Sequence, residues 1–162
     1  MRRAFVIASI GFLVFTSSLF GAQARPNFSG KWSLVPEPGA GSPSRGAGEL
    51  GTQFTAVQDE KTLTFVTRSS QLGEIKSTYN LDGSESRNPL TFAGTTVERV
   101  SRTKWDGSTL AIATTISSGS NTAESVQVLS FDASGNLIVA TRSNINGNTP
   151  PTTVAYRKAS GG

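Results

Sequence analysis

The run Glu74-Ile75-Lys76-Ser77-Thr78-Tyr79-Asn80-Leu81 alternates without a break, with Ile75, Ser77, Tyr79 and Leu81 on one side and Glu74, Lys76, Thr78 and Asn80 on the other. Successive side chains of a β-strand point to opposite faces, so the stretch reads as a half-buried strand of an antiparallel sheet. Asp82-Gly83 follows at once and supplies the tight turning that ends such a strand in a hairpin.

The same pattern extends in both directions. Upstream, Phe28, Gly30, Trp32 and Leu34 share a face, as do Leu50, Thr52, Phe54 and Ala56, and then Leu63, Phe65 and Thr67. Downstream, strands are predicted over residues 97–105, through Leu110, Ile112, Thr114 and Ile116, and over residues 126–131, 137–141 and 154–156. The 126–131 run changes face near Ser130, which predicts a β-bulge. Turn signals at Asp59-Glu60-Lys61, Asp106-Gly107 and Asp132-Ala133-Ser134-Gly135 separate the runs. No window of about 12 residues beyond the N-terminal segment shows helical periodicity, and parallel crossovers need connections of roughly that length. The expected fold is all-β, a single antiparallel up-and-down β-barrel of about 8–9 strands; a β-sandwich uses the same alternation and is the alternative.

Two segments fall outside this pattern. Arg2 and Arg3, the apolar run 4–20 and the small-x-small site Ala22-Gln23-Ala24 read as a secretory signal peptide over residues 1–24. The mature domain is then 25–162, without a stable membrane anchor, exported to the periplasm or the extracellular space. Residues 36–48 are rich in Pro and Gly with no apolar period and read as a flexible loop.

Composition removes whole classes of chemistry. The 162 residues include no Cys and no His, so disulfides, thiolate nucleophiles and the commonest general base and metal ligand are absent. Of 15 basic and 11 acidic residues, Arg2 and Arg3 leave with the leader, and the remaining Lys and Arg are scattered singly. A nucleic-acid surface or polybasic membrane patch is therefore not expected. The carboxylates of Asp59, Glu60, Asp82, Glu85, Asp106 and Asp132 sit in turns, where Asp is already favoured by geometry, and no catalytic pair, metal site or cofactor is expected from them. No enzymatic activity is expected.

Asn27-Phe28-Ser29-Gly30-Lys31-Trp32 resembles the Gly-x-Trp opening of lipocalin-like proteins, and Tyr79-x-Leu81-Asp82-Gly83-x-Glu85 with Lys104-Trp105-Asp106-Gly107-x-x-Leu110 resembles a broader group of exported bacterial lipocalin-like domains. The resemblance implies a calycin-type barrel with one end open to a small hydrophobic or amphipathic ligand. It also implies closure of the barrel base by a basic residue of the last strand packing on Trp32. Arg157 matches by position, while strict alternation from Val154 and Tyr156 turns Arg157 outward and Lys158 inward.

Candidate ligand-binding residues follow from the inward face: Trp32, Phe54, Phe65 and Tyr79 as aromatic walls, Trp105 at a rim, and Arg99 as a charge that needs an anion or carboxylate if it is buried. The same aromatics could equally fill a solid core. The inward faces also carry Thr52, Thr67, Ser77, Ser101, Thr103, Thr114 and Thr141, more hydroxyl than a dry core accepts without partners. The competing expectation is a non-enzymatic envelope structural or interaction module with a filled interior.

Overall fold

The computed structural model describes residues 24–36, 48–144 and 150–159. The expected signal peptide other than Ala24, and residues 37–47 of the expected loop, lie outside the described residues. The described chain forms β1 (Gly30–Leu34), β2 (Gln53–Gln58), β3 (Thr62–Ser69), β4 (Gly73–Asn80), β5 (Ser86–Arg87), β6 (Leu90–Phe92), β7 (Thr95–Asp106), β8 (Thr109–Ser118), β9 (Asn121–Phe131), β10 (Leu137–Ser143) and β11 (Thr152–Lys158). One 3₁₀ turn, Gly48–Leu50, precedes β2.

Pairing runs β4-β3-β2-β1-β11-β10-β9-β8-β7-β5, with β6 also on β7. Chain neighbours are sheet neighbours from β1 to β4 and from β7 to β11, and β1 joins β11 with Trp32 opposite Lys158. The result is an all-β antiparallel sheet, nearly closed into an up-and-down barrel. The strand number exceeds the sequence expectation because residues 86–92, split by Asn88-Pro89, supply β5 and β6 along one edge of β7. Each piece is too short to show a period of two.

The two ends of the sheet meet where β4 faces β5 and β7, and side chains make the join. Asn88 Oδ1 accepts from the Thr78 amide at 2.8 Å while its Nδ2 donates to the Thr78 carbonyl at 2.9 Å. One carboxamide thereby offers the donor and acceptor that a neighbouring strand would have presented. Ser86 Oγ accepts from the Asn80 amide at 2.8 Å, and the Thr103 hydroxyl donates to the Asn80 carbonyl at 2.5 Å. The turn that starts this seam needs Gly83, whose φ of 85° places it in the left-handed region, with the Thr103 carbonyl 3.2 Å from where a Cβ would stand.

The interior is filled from one end. Trp32, Leu63, Leu110, Leu129, Leu137 and Tyr156 are buried there, each large apolar side chain contributing about 1.5–3 kcal/mol of transfer free energy. An edge-to-face series of rings crosses the core, Tyr156 to Phe54 at 5.0 Å, Phe54 to Phe65 at 5.4 Å and Phe65 to Tyr79 at 5.8 Å.

The predicted β-bulge in β9 is absent. Register is continuous on both sides, from Leu110 opposite Leu129 to Ser118 opposite Asn121, and from Leu137 opposite Phe131 to Ser143 opposite Ser125. Ser125, Gln127 and Leu129 are buried, while Val126 is 37 % exposed. A buried glutamine on the inner face had imitated a change of parity.

Asn88→Ala should lower unfolding free energy by about 1–3 kcal/mol, because it leaves the Thr78 amide and carbonyl without their clamp. Urea denaturation measures this, and amide exchange should accelerate at Thr78 ahead of the β8–β9 amides.

Candidate functional site

One end of the barrel is sealed by rings. Phe28 is fully buried, stacks on Trp105 with centroids 6.1 Å apart and planes within 6°, and meets Phe131 at 5.2 Å. Trp32 packs on Phe131 at 5.9 Å, and its Nε1 donates to the Phe28 carbonyl at 2.9 Å. The segment ahead of β1 is fastened by Gln58, which accepts from the Phe28 amide at 2.9 Å and donates to the Pro26 carbonyl at 3.1 Å. Arg25 lies 5.2 Å over the Trp105 ring.

Here the structure places two residues that the sequence singled out. Trp105, expected at a rim, stands half-buried at this aromatic end, where it also lines a recess of about 330 Å³ with Arg25, Gln58 and Leu81. The cation over Trp32 is Lys158, exposed but with Nζ 5.8 Å from the ring centroid, whereas Arg157, also exposed, pairs in register with Ser33. Alternation along β11 decides the matter. Gly30 makes the approach feasible, since a Cβ there would lie 2.6 Å from Lys158 Cε.

The other end holds a recess of about 280 Å³, just below the roughly 300–1,000 Å³ usual for ligand clefts. Its walls are mainly apolar: Leu50, Phe65, Ile75, Leu90, Val97 and Ile116, with the Tyr79 ring. Five polar side chains complete the lining, namely Arg99, Ser77, Gln127, Glu49 and Thr67. Thus Phe65, Tyr79 and Arg99 come together in one cavity. Phe54 lies in the core behind them, and Trp32 and Trp105 are at the sealed end.

Arg99 is half-buried and anchored on two sides. Its Nε–H donates to the Asn88 carbonyl at 3.0 Å and its Nη2 to Ser77 Oγ at 3.0 Å, so it ties β7 to β4 across the seam. A guanidinium has five N–H groups in a fixed fork; two are spent, and no carboxylate pairs with it among the described residues. Such a partly desolvated cation with donors to spare is fitted to a carboxylate or another anion entering the recess.

Gln127 was missed by sequence reasoning. It is buried to 5 % exposure and lines the recess. Its parity with Leu129 and Phe131 was the available signal. Glu49 was also missed, since it sits in the 3₁₀ turn beyond the Pro/Gly loop. That turn is held by Tyr156, whose hydroxyl donates to the Gly51 carbonyl at 3.0 Å.

The turn acids are spent on local structure. Asp59 accepts from the Lys61 and Thr62 amides at 2.8 and 2.6 Å, Asp82 from Ser84 at 2.8 Å, and Asp132 from Ser134 and Asn136 at 2.9 and 2.8 Å. These hydrogen bonds hold all three carboxyls below the usual range, led by the Lys61 amide for Asp59, the Ser84 side chain for Asp82 and the Asn136 side chain for Asp132. Among the described residues no cluster of three or more His, Cys, Asp or Glu is arranged to hold a metal. Comparison with known protein families and with curated proteins gave no match for the chain.

Gln127→Met should raise the melting temperature of the ligand-free protein by roughly 2–8 °C, since it exchanges a mostly buried polar side chain for an apolar one of similar length. A fall in a differential scanning calorimetry trace would show that the amide has a structural partner. A second outcome concerns alkali. Burial pushes the Tyr156 phenol up to about 12 from an ordinary 10.0, so the unfolded chain releases this proton first. Stability should hold below about pH 10 and fall as pH rises towards 12. Tyr156→Phe should flatten that fall, read as urea midpoints at pH 9, 10 and 11.

Proposed function

We propose that this protein is an exported, lipocalin-like binding protein, without enzymatic activity, that takes a small amphipathic molecule into the open end of its barrel. The apolar body rests against Phe65, Ile75, Leu90 and Ile116, and an acidic group meets Arg99. Arg99 is the observation that carries this reading: a cation in a mainly apolar recess, fixed by Asn88 and Ser77, with donors left over and no carboxylate paired with it among the described residues. Placing a charge there costs solvation, and an incoming anion offsets it.

Export is supported by the basic, apolar and small-x-small order of residues 1–24. Kinship with lipocalins is supported by Gly30-x-Trp32, with Trp32 in the aromatic seal and a last-strand cation, Lys158, above it. The competing reading, a filled barrel acting through its surface, draws on the dense packing of the sealed end and predicts no specific uptake.

Isothermal titration with 3-phenylpropanoate and 3-phenylpropan-1-ol tests this directly, because the two share a body and differ in charge. The acid should bind at least about tenfold tighter, matching a charge-assisted hydrogen bond, and Arg99→Gln should abolish the difference without unfolding the barrel. Equal affinity for both, or binding of neither, would sink the proposal.

A further inference from the structure

The recess that presents Arg99 also presents a charge of the opposite sign. Glu49 lines it beside Leu50, carried on the turn that the Tyr156–Gly51 hydrogen bond secures. Opposite charges bordering one partly desolvated recess attract, yet Glu49 and Arg99 form no ion pair. The ion pairs among the described residues are Arg68–Glu74, Arg87–Glu85 and Arg102–Glu85. Each charge is held apart by its own tether: Arg99 by the Asn88 carbonyl and Ser77, Glu49 by its backbone turn.

Both charges are felt at Tyr79. Burial raises its phenol pKa most, Glu49 raises it further, and Arg99 opposes them. The Tyr79 ring of the wall is therefore within reach of both charges. Gln127 adds a buried side chain to the lining whose amide can donate to one oxygen and accept from one nitrogen.

We infer that the ligand of this site carries both signs itself, a carboxylate for Arg99 and an ammonium for Glu49 on one small apolar body, as in a hydrophobic amino acid. The inference rests on the reading of the recess as a ligand site and narrows it. A simple acid approaching Arg99 meets the Glu49 carboxylate at the mouth, whereas a zwitterion neutralises it. The volume of about 280 Å³ suits one ring or branched chain rather than a long acyl tail. Gln127 completes the polar set by bonding whichever end lies deeper.

The test uses three ligands on one body: L-phenylalanine, 3-phenylpropanoate and 2-phenylethylamine, titrated calorimetrically into the wild-type protein and into Glu49→Gln. L-Phenylalanine should bind at least about fivefold tighter than 3-phenylpropanoate, and 2-phenylethylamine should be the weakest. In Glu49→Gln the ratio between the first two should fall to about one. Glu49→Lys, a reversal at an exposed position, should make 3-phenylpropanoate the preferred ligand, with circular dichroism verifying the fold of each variant. If 3-phenylpropanoate binds through Arg99 but L-phenylalanine gains nothing, or Glu49→Gln leaves the ratio unchanged, the zwitterion is overturned and the acid-binding barrel stands. If none of the three binds, both readings fall.

Discussion

A sheet of this topology can close only if its last edge finds donors and acceptors, and here the edge of β4 finds them largely in one carboxamide. Asn88 binds both backbone groups of Thr78, and Arg99 reaches from β7 through the Asn88 carbonyl to Ser77 on the other side. Everything inside depends on that join. Without it the sheet has an open edge, a site for unwanted strand pairing, and the recess loses a wall. The residue that stabilises the seam from within is also the cation that faces the recess, so closure of the fold and presentation of the charge are one arrangement.

Much of this fold is legible in the sequence because most strands bury one face only. Ile75, Ser77, Tyr79 and Leu81 declare their side by strict alternation, as do Leu110 and Ile112. Segments that escape have physical reasons to do so. Residues 86–92 are interrupted by a proline and contribute two or three residues at a time to the edge of β7, too few for a period to emerge. The 3₁₀ turn carrying Glu49 follows a stretch without apolar rhythm.

The recess was legible in part. Arg99 stands at the parity of Val97 and Ser101, and a cation on an inward face is visible in the letters alone. Gln127 misled because polarity normally marks the outside: with Val126 and Val128 flanking it, the apolar residues of that stretch point outward and the polar one inward. Where a strand borders an open space rather than packed side chains, the usual pattern inverts, and such inversions concentrate at functional sites. At the last strand, alternation gave the better guide than motif position, since Lys158 and not Arg157 lies over Trp32.

The aromatic seal sorts the chromophores by end. Both indoles, Trp32 and Trp105, lie with Phe28 and Phe131 at the sealed base, while the ring bordering the recess with a hydroxyl is Tyr79. Indole emission therefore reports on the base and on the Phe28 segment docked there, and is nearly blind to what occupies the far mouth.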